Sequence, residues 1–309
     1  MANAREIQGR IKSISDTKKI TSAMYMISST KLRKAKQGKE DTEPYFFTLQ
    51  SMITRTMRHI PDMDDIYFEK KEKKPEKDIR RGVIVVTADK GLAGAYNHNV
   101  LKLAQEWLAK EGKTTLYVVG ELGRQFFAAR NIEVEEQFQY TAQNPTMHRA
   151  RRISGTVLES FRQQELDEVW LIYTDMINSM QTQAQMVQLL PLQKENFKME
   201  VPLDVRQEEF LMQPSPGAVL HSIVPNYLTG YIFGALVESF CSEQNARMVA
   251  MQAASDNASD MLRELNMEYN RVRQAAITQE ITEVISGAKA QKKKKQQQKK
   301  KKQFTGTGA

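Results

Sequence analysis

The sequence holds a single cysteine, Cys241, in 309 residues, which excludes an internal disulfide and any cysteine-cluster metal site and fits a reducing compartment. No window approaches the roughly 18 to 20 consecutive apolar residues of a membrane-spanning helix, and the most apolar run, Gly82 to Thr87, has the length of a strand. Met1 to Lys19 is basic and contains serine but lacks the apolar core of a secretory signal, so it reads as helix. The four histidines, His59, His98, His148 and His221, are far apart, so metal binding is not expected. There is no G-x-S-x-G elbow, and Cys241 has only Glu238 and Glu243 nearby, which would not activate a thiol. No catalytic constellation emerges.

Acid is absent from the last 21 residues, 289 to 309, which carry nine lysines. The formal net charge of +8 is therefore a property of the tail, and the remainder nets −1. That remainder is itself divided, +7 over residues 1 to 40 and −8 over 41 to 288. The basic residues Arg10, Lys12, Lys18, Lys19, Lys31, Arg33, Lys34 and Lys36 are either a solvated face or a surface for an acidic protein. The tail is either a solubilising terminus or a ligand for an anionic surface such as nucleic acid or lipid.

Proline is missing from Ala2 to Glu43, and Ile7, Ile11, Ile14, then Ile20, Met24 and Ile27 recur mostly at helical spacing. The pattern predicts a helix over 1–60 with a kink at Pro44 and local overwinding at the six-residue step from Ile14 to Ile20. Residues 61–81 are dense in charge and read as a solvated connection. Over 82–213, apolar β-branched runs (Gly82 to Thr87, Thr114 to Val119, Val169 to Tyr173) alternate with helical stretches, and Gln183 to Leu190 adds a strand. The expected fold there is an α/β domain with a largely parallel, Rossmann-like sheet.

From Asn226 to Ile285 there is no proline and only Gly230 and Gly234, so residues 214–288 read as one long helix. Met248, Met251, Ser255, Ala258, Leu262, Leu265, Tyr269, Val272 and Ala276 step 3-4-3-4, the seam of a coiled coil. A lone helix cannot bury such a stripe, and the N-terminal helix is the one comparable partner. The expected fold class is thus α/β plus long α: an antiparallel two-helix coiled coil of both chain ends with the α/β domain inserted, and a disordered tail over 289–309.

The turn Thr87-Ala88-Asp89-Lys90-Gly91-Leu92-Ala93-Gly94-Ala95-Tyr96 lies where phosphate-binding loops occur, between strand and helix. Ala95-Tyr96 stands where a Walker loop needs Lys-Ser/Thr, and the three glycines of a dinucleotide fingerprint are not there, so a tight structural turn is the favoured reading.

Ser15-Asp16-Thr17-Lys18-Lys19-Ile20-Thr21-Ser22-Ala23-Met24, Ser29 to Arg33, Glu243 to Met251 and Tyr269 to Glu283 together resemble the gamma subunit of F-type ATP synthases. The ending I-T-x-E-x-x-E-x-x-x-G-A, Ile277 to Ala288, carries that resemblance most specifically, and Asp89-Lys90-Gly91-Leu92 and Leu189-Leu190-Pro191-Leu192 add to it over residues 1 to 290. The resemblance implies a non-catalytic central-stalk rotor with no cofactor of its own, since ATP, ADP and Mg would be bound by partner alpha and beta subunits. The implied partners are three alpha and three beta subunits around the coiled coil, an epsilon subunit, and a membrane c-ring under the α/β foot. The implied location is peripheral, on the cytoplasmic face of the cell membrane, and nucleic acid is not an expected partner.

By matching positions, the resemblance implies polar contacts to beta from Arg273, Gln274 and Thr278, with Glu280 alongside, and apolar sleeve contacts from Ile281, Val284 and Ile285. Met24, Lys18 and Lys19 would face an acidic lever of beta, and Arg247 would lie on the facing stretch of the second helix. Met212, Gln213, Glu208 and Glu209 would approach the c-ring, with Gln213 standing where relatives often have an acid. Relatives usually stop near the Gly-Ala-x-Ala end, and the chloroplast-type regulatory cysteine pair is absent, so thiol control is not expected. Two rivals remain: a nucleotide-dependent α/β enzyme with a coiled-coil arm, and a nucleic-acid-binding scaffold driven by the tail.

Overall fold

The computed structural model describes residues 4–59, 65–68, 74–109, 112–178, 181–193, 197 and 212–304. Helix α1 spans Ala4–His59, strand β1 Arg80–Val86, α2 Tyr96–Leu108, β2 Lys113–Val119, α3 Glu121–Ala128, α4 Met147–Arg162, β3 Glu168–Met176, β4 Thr182–Leu190 and α5 Pro216–Phe304. The chain divides into two compact units, one of residues up to Ala23 together with those from Gln252 on, the other of Met24–Met251.

In the larger unit the sheet order is β2-β1-β3-β4. Strands β1, β2 and β3 run parallel and β4 pairs antiparallel to β3. Six of the seven residues of β1 are buried because both faces of this central strand are covered, which is why it reads as an unbroken apolar run instead of an alternation. Its side chains still alternate between two cores. Val83 and Val85 pack with Val100, Leu101 and Trp107 of α2 and Phe127 of α3. Ile84 and Val86 join the core that holds Ile153 and Val157 of α4, Leu49 and Ile53 of α1, and Leu228 and Leu236 of α5. Helix α5 is fastened to the sheet and to α4 by polar links as well. Ser239 Oγ accepts from the Thr174 amide at 3.1 Å, Ser242 Oγ donates to the Thr174 carbonyl at 3.3 Å, and the Ser154 and Thr229 hydroxyls lie 2.7 Å apart. Lys39 of α1 pairs with Glu238 of α5.

The smaller unit is made of the start of α1 and the far part of α5. Its α5 stripe withdrawn from solvent includes Ser255, Ala258, Leu262, Leu265, Tyr269 and Val272, and Ser22 and Ser255 hydroxyls stand 3.2 Å apart across the two helices.

Several expectations need correction. The inward stripe of α1 keeps an unbroken 3-4 step through Ile7, Ile11, Ile14, Lys18, Thr21, Tyr25 and Ser28. Ile20 and Ile27 point outward, 61% and 56% exposed, while Thr21 and Ser28 are buried. The hydrophobic pattern skips six residues there because the packed positions, Lys18 and Thr21, are polar. The 61–81 segment is not wholly solvated, because Tyr67 and Phe68 are buried in the larger core and Phe68 bridges Leu192, and β1 begins two residues earlier than expected, at Arg80. The tail expected to be disordered over 289–309 continues α5 to Phe304; lysine and glutamine are good helix formers, and a preceding helix removes the nucleation cost. α1 also passes through Pro44 as one helix, and α5 through Pro225.

Candidate partner surface

Beyond Val272, every residue of α5 from Arg273 to Lys295 is exposed. This chain covers none of that stretch among its described residues, although Ile277, Ile281, Val284 and Ile285 are 44%, 54%, 72% and 50% exposed. At about 100° per residue these four share one side of the helix, and Arg273, Gln274, Thr278 and Glu280 fall on the same side, within an arc of about 160°. The opposite arc holds Ala275, Ala276, Gln279, Thr282, Glu283 and Ser286. The result is an apolar ridge edged by one cation, one anion and two hydrogen-bonding groups. A ridge of this kind fits a concave protein surface.

The other sequence-derived residues are placed differently. Lys18 is half-buried on the inward stripe of α1, whereas Lys19 is exposed and pairs with Asp16 at 3.1 Å. Met24 is half-buried. Met212 is half-buried and Gln213 exposed just before α5, while Glu208 and Glu209 lie outside the described residues.

Arg247 departs most from expectation. It is 8% exposed and directed into its own unit, donating from Nη2 to the Lys90 and Gly91 carbonyls at 3.1 and 3.0 Å and pairing with Glu243 at 2.7 Å. The second Glu243 oxygen is buried with no hydrogen-bond partner among the described residues. Burial, opposed by the Arg247 charge, raises the Glu243 carboxyl above its ordinary range. The sequence carries no distinct signal for this inward pair, because an acid four residues before an arginine is equally the pattern of an exposed salt bridge.

The Arg247 guanidinium reaches the Thr87 to Tyr96 turn, which is held by further polar contacts. Asp89 accepts from the amides of Glu121, Ala142 and Gln143 at 3.0, 3.0 and 3.2 Å and from the Thr141 hydroxyl. The Ala88 amide is bound by Asn97 Oδ1 at 2.9 Å, and Ala88, Ala93 and Tyr96 form a small buried cluster against Ala246. The Asp89 carboxylate and the Lys90 and Gly91 carbonyls are thus engaged by the protein, and Leu92 and Gly94, at φ 64° and 54°, give the backbone the sharp reversal of a tight turn. Among the described residues no group of three or more metal-ligating side chains gathers, and no helix is long and apolar enough to cross a membrane.

A family model described as ATP synthase matches residues 3–291. The ATP synthase gamma chain of Caldanaerobacter subterraneus subsp. tengcongensis is 41% identical over 92% of this chain and 98% of its own length. That of Ruminiclostridium cellulolyticum is 40% identical over 93% and 98%. The sodium-ion-specific gamma chain of Acetobacterium woodii is 35% identical over 93% and 98%. Among solved structures, a chain of the central stalk and c-ring of Tetrahymena thermophila mitochondrial ATP synthase matches with a TM-score of 0.56 at 22% identity, covering 76% of this chain and 99% of that one.

Proposed function

The chain belongs to the ATP synthase gamma-chain family, and from that premise we propose that its work is mechanical, with the two chain ends wound as an antiparallel coiled coil that turns as a shaft inside a sleeve of three alpha and three beta subunits. It is a subunit of the synthase with no catalytic site of its own. The Rossmann-like α/β unit serves as a body resting on the c-ring with the epsilon subunit, at the cytoplasmic face of the membrane, which the chain reaches only through the ring.

The observation that carries the reading is the bare ridge from Arg273 to Ile285, four large aliphatic side chains on a helix this chain leaves uncovered. In the sleeve, Arg273, Gln274, Thr278 and Glu280 contact beta, and Ile281, Val284 and Ile285 slide against its apolar lining. Because the ridge occupies one side of the shaft, each beta subunit meets a different face at each angle, and a site is shifted only by the difference in contact energy between its states. An ion crossing the membrane supplies about 2.3 kcal/mol per charge per 100 mV, so several crossings drive each ATP, and the shaft must carry that work without unwinding. Met24, Lys18 and Lys19 contribute on the α1 side, and Met212, Gln213, Glu208 and Glu209 approach the ring. Arg247 acts from within, fixing the Asp89 turn to α5.

Co-expression with alpha and beta subunits tests the proposal: the chain copurifies as one copy per hexamer and raises its ATP turnover. Saturable ATP binding by the isolated chain, or failure to join the hexamer, would contradict it.

A further inference from the structure

The family match stops at residue 291, yet α5 continues to Phe304. The added sequence is a seven-residue unit begun twice, Lys292-Lys293-Lys294-Lys295-Gln296-Gln297-Gln298 and then Lys299-Lys300-Lys301-Lys302-Gln303, with no acid in it. On a helix, four consecutive positions step around the axis by about 100° each, so a block of four lysines leaves no side uncharged. Lys292, Lys293, Lys294 and Lys295 are all exposed, and among the described residues none forms an ion pair. The second block begins seven positions, about 10 Å, farther along the same helix.

This distribution poorly suits a flat partner. A duplex or a membrane touches one side of a helix and would leave about half of the lysines in solvent, and an interfacial helix needs an apolar face that 289–303 does not have. Single-stranded nucleic acid is held on stacking aromatics, and Phe304 is the one aromatic of the segment. A partner that surrounds the helix can use every charge. Like charges three and four positions apart weaken a bare helix, so encircling carboxylates would stabilise the segment they hold. A complete collar is also attracted equally at every angle, whereas one-sided charge has a preferred angle and would resist turning.

We infer that residues 292–302 form two positive collars that turn within an acidic-lined protein opening, at the end of the sleeve in which the shaft rotates. The inference rests on the reading of the chain as a rotating shaft.

Two full-chain variants, each retaining four lysines and carrying Gln at the other four, separate charge from its arrangement. The spread variant keeps Lys292, Lys294, Lys300 and Lys302, which stand around the axis. The one-sided variant keeps Lys292, Lys295, Lys299 and Lys302, which fall within an arc of about 80°. Each is assembled with alpha and beta subunits, and ATP turnover is measured from low to high salt. The spread variant is expected to keep the wild-type rate throughout. The one-sided variant is expected to lose several-fold at low salt and to recover at high salt, where its charges are screened. Equal rates for both variants at every salt would overturn the inference, as would wild-type complexes that bind anionic vesicles or duplex DNA through the same lysines. Copurification of the wild-type chain with the hexamer is read separately, so a failure of the shaft reading is distinguished from a failure of the collars.

Discussion

Arg247 Nη1 lies 2.7 Å from Glu243 Oε1, one turn away on α5, with both side chains less than a tenth exposed. The pair ties the long helix to the Asp89 turn, because the same guanidinium also donates to the Lys90 and Gly91 carbonyls. Replacing Arg247 with Ala strands a buried carboxylate and two carbonyls, and removal of one partner of a buried pair typically costs about 3 to 5 kcal/mol. Arg247→Lys keeps the charge but loses the fork that spans three acceptors, so partial recovery is expected. Denaturant titration of the three proteins checks both steps.

Gly230 gives a second stability test. A Cβ at this position would overlap the Phe46 ring of α1, so the helices meet there only because the side chain is missing. Gly230→Ala is expected to destabilise the larger unit by about 1 to 3 kcal/mol through overpacking. Combining it with Phe46→Leu should return part of that loss, and additive effects in the double-mutant cycle would contradict the contact.

The acid limb of stability depends on Asp167. Burial pushes its carboxyl up, but hydrogen bonds from the Arg80 and Lys74 side chains and from the Arg80 amide outweigh burial and hold it at about 2. A carboxyl with a lowered folded-state pKa binds fewer protons folded than unfolded, so its contribution is present above about 4 and is lost as pH falls toward 2. Asp167→Asn should therefore be less stable than wild type at pH 6, with the difference closing by pH 2. A gap that stays constant between those pH values would contradict the ion-pair network.

At the partner surface, Gln274→Ala is expected to lower coupled ATP turnover of the assembled complex while the unfolding transition of the chain stays in place. Loss of one interfacial hydrogen bond is worth about 0.5 to 1.5 kcal/mol, a factor of roughly 2 to 10 if it is made only at the rate-limiting angle. Unchanged turnover would remove Gln274 from the contact set.

Legibility in the sequence followed the kind of signal each element carries. Strands β1 and β3 announce themselves because burial on both faces forces continuous apolar runs, and the stripe from Met251 to Val272 because its 3-4 step persists for three heptads. The α1 stripe is hidden where the packing turns polar: Thr21 and Ser28 are the buried residues, and the large Ile20 and Ile27 beside them face out. Hydrophobicity alone cannot separate a residue buried within the chain from one kept for a partner. Nor does the sequence tell which way Arg247 faces, since an arginine with a buried carboxylate four positions earlier has the same local sequence as an exposed salt-bridged one. Tyr67 and Phe68 are hard to read as core because charge from their neighbours masks a two-residue apolar anchor. The ridge from Arg273 to Ile285 was legible as a set of residues, through resemblance. Helical spacing puts its members on one side, and the structure adds that the whole stretch is exposed.

A shaft of this kind works only if the two chain ends move as one body. Ser22 and Ser255, with hydroxyls 3.2 Å apart, allow that to be tested by a disulfide between Ser22→Cys and Ser255→Cys in the assembled complex. The native Cys241 will not interfere, because burial first, and then the nearby Glu238, push its thiol up to about 11. Turnover of the oxidised complex equal to that of the reduced one is the predicted result. A loss of turnover on oxidation that returns on reduction would show that the helices must slide or separate during work, and would contradict the shaft.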